Sequence, residues 1–559
     1  MTNSPWCADN DRTGTVKKLF SGTVVLVVAT VITKIIGFLY KVPLVHYVGI
    51  EGMAYFLAAN HVYILLFVLS TSGLPVAISV LVSKAVATGD RSAVMKIYNV
   101  AIGLFIIIGM VGSLTMLAGA SKISDMIGIP KATWCIIAIA PAVLMACIAG
   151  AIRGYFQGQQ IMHHTAISQV IESFGKLIFG LVGAIYAINR NMSTEKVAAF
   201  AIFGITVGVG LSMVYLIIVK AFFDKNKIGS IKVMPYSNKT SIIKQLVRLA
   251  LPITLSSSVL SIGGAIDTML VPKSLAYCGF SASEANRMYS CYGNMAVPLF
   301  SLIPAFIAPI AMALVPMVST HHNSNSIREE KIAICQSIKM TLFVAAPASL
   351  GLAFFAGPVL QMIFPTDINT IGIASSLLSI LALSIVPACL ITTTNAILQA
   401  QSHAQKTIFS MICGVLVKLV VEYFLIRQRD INIFGAPIST LACDITVISI
   451  NFYYVIKYSP QLKELVRDCI GIVWTSILAM GGTVVIWYTT GMKDSGSNVA
   501  TALAVFIAMV LYFGIAWLFG IVDSTISNVI PDFNNNLIKR KNKNEQRRED
   551  KVFTKQRAL

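Results

Sequence analysis

Apolar runs of roughly 18 to 25 residues, the length that takes a helix across about 30 Å of hydrocarbon, recur along this chain from Leu19 to Ile521. Short polar connections separate them, and the pattern predicts about 14 transmembrane helices. The first run follows Lys17 and Lys18 and leads into further spans instead of a small-residue cleavage site, so it reads as helix one and not as a removable leader. The longest polar connection, a basic linker at 224–244, separates six spans in 19–223 from six in 245–458. Two more spans fill 459–522, and polar segments occupy 1–18 and 523–559.

The two six-span blocks resemble each other. IAIAPAVLMACIAGAI (137–152) aligns with LSIVPACLITTTNAIL (383–398), placing Pro141 over Pro387, and a little further on Lys176 falls over Lys418. TSGLPVAISVLVSK (71–84) and APIAMALVPMVST (308–320) are both apolar segments interrupted by Gly or Pro. An even number of spans per block makes the repeats parallel, with a pseudo-twofold axis along the membrane normal. The expected fold class is thus an all-α polytopic membrane protein, with two pseudo-symmetric six-helix lobes plus two C-terminal helices.

Composition agrees with this reading. Of 559 residues 56% are hydrophobic and only 12% are charged, with a mean hydropathy of +0.77. The net charge of +19 would suggest a nucleic-acid partner if it were clustered on one soluble face. About 30 of the Lys and Arg residues instead fall on one set of alternate loops and on the tail KRKNKNEQRREDKVFTKQR (539–557), so no nucleic acid is expected. The positive-inside rule places both termini in the cytoplasm and the tail against anionic membrane lipids. The ten cysteines sit in or beside apolar runs with no CxxC spacing and read as reduced core residues.

A charge at mid-bilayer costs about 2.5 to 3.5 kcal/mol and needs an interior, a partner or water. Lys34 and Lys41 in VVLVVATVITKIIGFLYKVPL (24–44) share nearly one helical face and can offer two cations to a cavity. Asp267 in SIGGAIDTMLVP (261–272) needs a lysine from its own block. Lys418 and Glu422 are four apart on one helix, as are Glu172 and Lys176 on another, so each pair is expected to close within its helix. These groups either fix packing or form a cluster that responds to a cation or proton. Arg153, in RGYFQGQQ (153–160), is placed at the cytoplasmic mouth of the cavity, facing substrate phosphate or lipid head groups.

His163-His164 and His321-His322 lack the neighbouring cysteines or carboxylates of a metal site. P-loop, GxSxG and HExxH patterns do not occur, and no extramembrane segment is long enough for a catalytic domain. Neither enzymatic activity nor a cofactor or metal is expected.

RGYFQGQQ with TAISQVIE, TKIIGFLYKVPL, LSTSGLPVAISVLVSKAVA and LPITLSSSVLSIGGAIDTMLVP together resemble the polysaccharide-transport branch of the multidrug/oligosaccharidyl-lipid/polysaccharide exporter superfamily. Within it the chain looks most like the stage V sporulation protein B type, itself similar to the lipid II flippases. The resemblance covers roughly 15–525 and implies a carrier that turns undecaprenyl-pyrophosphate-linked sugars across a bacterial cytoplasmic membrane. The branch's first-helix cation corresponds to Lys34 and the following glycine to Gly37. Where the lipid II flippases place a second arginine, this chain has Tyr40, with Lys41 one step on. Near their other cavity arginines it has Asn60 and His61, and Asn294. The branch's proposed sodium region falls near Asp267, Lys418 and Glu422, so a tethered cation stands where a bound one would be. Two rival readings stay open: a multidrug extruder on the same scaffold, and a non-transporting scaffold that recruits cell-wall synthases through basic loops.

Overall fold

The structure, a computed structural model, describes residues 9–88, 90–225, 239–308, 327–364, 366–401, 403–459, 465–492 and 497–521. The basic linker at 226–238, His321-His322 and the tail beyond 521 lie outside the described residues. Among those described, every regular element is helical. In chain order they are α1 (Asp9–Thr71), α2 (Leu74–Ala87), α3 (Arg91–Ile127), α4 (Thr133–Gly158), α5 (Met162–Asn189), α6 (Thr194–Lys225) and α7 (Lys239–Tyr277). There follow α8 (Ala282–Ala308), α9 (Ile327–Phe354), α10 (Ala356–Ile363), α11 (Ile368–Ala382) and α12 (Ile385–Ala400). The last four are α13 (Ala404–Ile426), α14 (Gly435–Tyr458), α15 (Leu465–Thr489) and α16 (Asn498–Leu518).

Eleven of the described helical stretches are long and apolar enough to cross a membrane, or twelve if α11 and α12, bent by 42° at their junction, make one span. Two of the spans expected from sequence lie within a single run, Val28–Val86. That run is broken at Gly49, whose φ of 75° lies in the left-handed region open to glycine. Helix ends are set by local chemistry. Asp90 accepts a hydrogen bond from the Ala93 backbone N–H at the start of α3, and Gly128 (φ 87°) closes its end. On α3, Ile107, Val111 and Leu114 are more than half exposed, as befits side chains facing lipid rather than water.

The chain divides into two compact units, 1–306 with 360–381 and 408–447, and 307–359 with 382–407 and 448–559. The core of the first includes Ile78, Ile97, Phe105 and Phe156, drawn from α2, α3 and α4. In it α5 and α6 meet through glycines: a Cβ built on Gly175 would stand 2.7 Å from the Gly208 Cα. Without a hydrophobic drive between helices in lipid, such small residues give backbones the close approach that dispersion needs. The second unit packs α9, α12, α14 and α15 around Ile334, Ile338, Leu398, Val455 and Ile472. There Tyr512 of α16 donates its hydroxyl to the Phe343 carbonyl of α9, 2.8 Å away.

Candidate functional site

Three lysines of the first unit gather between α1 and α5. Lys41 lies within electrostatic reach of both Lys34 and Lys176. Lys176 stands over the ring of Tyr40, 5.3 Å from its centroid. Tyr40 is buried and donates to the Ala201 carbonyl of α6 at 2.8 Å, which fixes the ring under the ammonium. Tyr40 thus serves as a seat for a lysine from another helix. A Cβ on Gly37 would meet nothing within 4 Å, so the space next to Lys34 is open.

The expected pairing of Glu172 with Lys176 is replaced by another. Arg153 of α4 donates from Nη2 to Glu172 Oε2 at 2.7 Å and to Ser212 Oγ at 3.0 Å, and from Nε to Ser168 Oγ at 2.9 Å. Its side chain is 15% exposed, with its donors turned into α5 and α6. A planar guanidinium can satisfy a carboxylate and two hydroxyls at once, which an ammonium one turn away on the same helix does less well. Among the described residues, Lys34, Lys41 and Lys176 therefore have no carboxylate within ion-pair distance.

The expected pairing of Lys418 with Glu422 is also replaced. Lys418 Nζ lies 2.7 Å from Asp267 Oδ1 on α7 and donates to Thr440 Oγ1 of α14 at 3.1 Å. Asp267 thus takes the same-block lysine that the sequence called for. The Glu422 carboxyl lies against that of Asp267 and accepts from Ser439 Oγ at 3.4 Å. Asp444, one helical turn beyond Thr440 on α14, is within reach of the Lys418 charge. One oxygen of Glu422 and one of Asp444 are buried with no hydrogen-bond partner among the described residues. This pocket therefore sets one lysine against three carboxylates in a region screened from water.

Asp444 is the member that the sequence reading passed over. The signal was available: an acid inside the apolar stretch LACDITVISI obeys the same rule that singled out Asp267. The polar residues that complete the pocket had no such signal. Tyr292 and Thr440 share a hydrogen bond of 3.1 Å, and hydroxyls of this kind are common on any membrane helix.

His61 joins α1 to this region. Its Nδ1 is 2.6 Å from Thr268 Oγ1 and 3.3 Å from the Tyr289 hydroxyl, and those two hydroxyls are 2.9 Å apart. Thr268 follows Asp267 directly, so the histidine sits one residue from the ion pair. Asn60 is half-buried beside it. Asn294 is fully buried and donates to the Met53 carbonyl of α1 at 2.9 Å, so it also ties α8 to α1. His163 and His164 form a tilted pair, with ring planes 52° apart, ring nitrogens 2.9 Å apart and His164 Nδ1 at 3.2 Å from the Tyr215 hydroxyl.

A family model described as Polysaccharide biosynthesis protein matches residues 19–322, and one described as MatE matches 293–424. Among curated relatives, a lipid II flippase MurJ of Bacillus subtilis (strain 168) is 24% identical over 545 residues, covering 92% of this chain and 98% of the relative. A stage V sporulation protein B of the same organism is 26% identical over 448 residues, covering 79% and 85% respectively. A solved structure of the lipid II flippase MurJ in an inward closed conformation superposes with a TM-score of 0.68 at 16% identity, over 89% of this chain and 99% of that one, and so shares its fold. With the first model matching more than half of its length, the chain belongs to the polysaccharide biosynthesis protein family.

Proposed function

We propose that this chain is a flippase that moves an undecaprenyl-pyrophosphate-linked oligosaccharide, a lipid II-like cell-wall or spore-cortex precursor, from the inner to the outer leaflet. The similarity to proteins so named supports the class of activity. The observation that carries the reading is the set Lys34, Lys41 and Lys176, three lysines that among the described residues have no carboxylate within ion-pair distance, Glu172 being held by Arg153. Like charges this close within the span of a membrane helix are costly unless an anion joins them. A pyrophosphate supplies that anion, while the sugar meets polar side chains such as Asn60 and the prenyl tail stays in lipid. Two six-helix lobes rocking about this site would give alternating access. The basic loops argue for cytoplasmic termini in a bacterial cytoplasmic membrane, with anionic lipid at the tail.

The test is lipid II translocation in proteoliposomes, comparing the intact chain with Lys34→Ala, Lys41→Ala and Lys176→Ala at matched insertion. Loss of translocation in each variant, with unchanged elution and thermal stability, is the expected result. Translocation as fast as that of the intact chain in all three would sink the reading and favour the synthase-recruiting scaffold. A multidrug extruder is disfavoured by the same lysines, which would repel cationic drugs from the site.

A second element of the reading concerns the driving force. One lysine among Asp267, Glu422 and Asp444 leaves an excess of carboxylates that protons would neutralise, and His61 connects this pocket to α1. We assign it the role of biasing the two carrier states. Translocation should then respond to an imposed pH gradient in the intact chain. The response should vanish in Glu422→Gln and Asp444→Asn, and a gradient response unchanged in both would remove the pocket from the mechanism.

A further inference from the structure

Tyr40, the neighbour of Lys41 on α1, is 1% exposed and carries a lysine from another helix on its ring face. Lys34 and Lys41 lie nearly on one side of α1, whereas Tyr40, about 100° round the helix from Lys41, turns toward α5 and α6. Three contacts hold its ring. The hydroxyl donates to the Ala201 carbonyl of α6 at 2.8 Å. A Cβ built on Gly180 of α5 would collide with that hydroxyl and stand 2.7 Å from Cε2, so the ring lies in a notch that a glycine leaves open. Phe56, further along α1, has its ring centroid 6.3 Å away at 59°. Gly204 of α6 closes on the Gly180 backbone, so the notch is backed by direct contact between α5 and α6.

Lys176 precedes Gly180 by one turn, which puts its ammonium and the notch on one side of α5. It is half-buried, with Nζ 5.3 Å from the Tyr40 ring centroid and within electrostatic reach of Lys34 and Lys41. Two groups near it could stabilise the charge. Glu172 is within electrostatic reach, but its Oε2 is held by Arg153. The other is the negative face of the Tyr40 ring. The two have different consequences: a carboxylate in contact cancels the charge, whereas a ring quadrupole attracts an ammonium and leaves its net charge in place. A tyrosine that only packed α1 against its neighbours would need no ammonium over its face.

We propose that Tyr40 is a positioning residue for the pyrophosphate, its ring holding the Lys176 ammonium beside Lys34 and Lys41 with the charge uncancelled. α5 then supplies the third cation of a site whose other two belong to α1. This rests on the reading of the three lysines as the pyrophosphate site; beyond it, what Tyr40 contributes to binding passes through Lys176.

Equilibrium binding of undecaprenyl pyrophosphate to the full chain in detergent, with undecaprenol as the uncharged reference, separates positioning from packing. Tyr40→Leu should weaken pyrophosphate binding about fivefold and leave undecaprenol binding unchanged. Tyr40→Met, which fills the notch with an unbranched chain and no ring, should do the same. Tyr40→Phe keeps the ring face and loses the hydrogen bond to Ala201. It should bind the pyrophosphate within about twofold of the intact chain while melting at a lower temperature. Lys176→Gln should itself weaken pyrophosphate binding, and in that background Tyr40→Leu should have no further effect, since the ring has no ammonium left to hold. Equal loss of both ligands in Tyr40→Leu and Tyr40→Met overturns the proposal, as does a Tyr40→Phe variant as weak as Tyr40→Leu, or effects of Tyr40→Leu and Lys176→Gln that multiply. Binding by Lys176→Gln as tight as that of the intact chain overturns it too, yet leaves the pyrophosphate reading standing on Lys34 and Lys41. That reading falls only if Lys34→Ala and Lys41→Ala also bind the pyrophosphate as tightly as the intact chain.

Discussion

At the scale of single residues, the contact between Lys418 and Asp267 governs the second half of the site. Both side chains are about nine-tenths buried, so each is tolerated only with the other in place. Asp267→Asn leaves an ammonium with Thr440 and no charge of opposite sign within ion-pair distance other than what Glu422 can offer by rearranging. We expect a loss of roughly 3 to 5 kcal/mol, the usual cost of removing one partner of a buried pair, read as a lower thermal midpoint in detergent. The double change Asp267→Leu with Lys418→Met should recover much of it, and a double variant no more stable than Asp267→Asn would refute the pairing argument. Arg153→Gln has a different consequence. It frees Glu172 to turn to Lys176, four residues on, and lowers the positive charge offered to an anion. Affinity for undecaprenyl pyrophosphate should then fall several-fold, measured by competition in the translocation assay.

Outside the membrane-spanning segments, Asp367 offers a pH prediction. The Thr370 hydroxyl and backbone, followed by the Arg287 guanidinium 2.7 Å away, hold its carboxyl below the usual carboxylate range. A depressed carboxyl adds stability that is present above the ordinary carboxylate pKa and is lost as pH falls through the folded-state value. Melting curves between neutral and acidic pH should therefore show a contribution in the intact chain that Asp367→Asn lacks.

Elements behave differently, because their contacts are backbone to backbone. Gly175 and Gly208 bring α5 and α6 so close that a Cβ on Gly208 would meet the Lys176 backbone nitrogen at 2.7 Å. Gly208→Val should therefore force these helices apart, displace Lys176, and cost insertion and activity together. Gly37→Ala should be tolerated, since a Cβ there meets nothing within 4 Å. Expression level and elution profile compare the two, and equal behaviour would show that α5 and α6 are not locked by glycine. The existence of most elements was legible in the apolar runs because bilayer thickness imposes a length on any spanning helix. Their joints were not: the merging of two expected spans through Gly49 and the 42° bend at α12 depend on neighbours that hydropathy does not register.

For the whole molecule, the contact of His61 with Thr268 links α1 to α7, that is, one expected lobe to the other. If transport requires the lobes to rock, this contact must break in each cycle. His61→Cys with Thr268→Cys in a cysteine-free background, joined by a short thiol crosslinker, should stop translocation, and cleaving the link should restore it. Undiminished transport with the link in place would argue against motion across this contact.

The sequence by itself determined that this chain crosses a membrane many times and that Lys34, Asp267, Glu172 and Lys418 need explanation. Each of those conclusions rests on local physics, the cost of an apolar residue in water or of a charge in lipid, which a single segment reveals. Tertiary structure decided the partners. Spacing of four residues brought Glu172 to Lys176 and Lys418 to Glu422 on paper, yet Arg153 and Asp267, arriving from other helices, won both contests with better geometry. Ion-pair choice in a low dielectric depends on which groups are jointly buried, and that is a property of the packed bundle, not of any one helix.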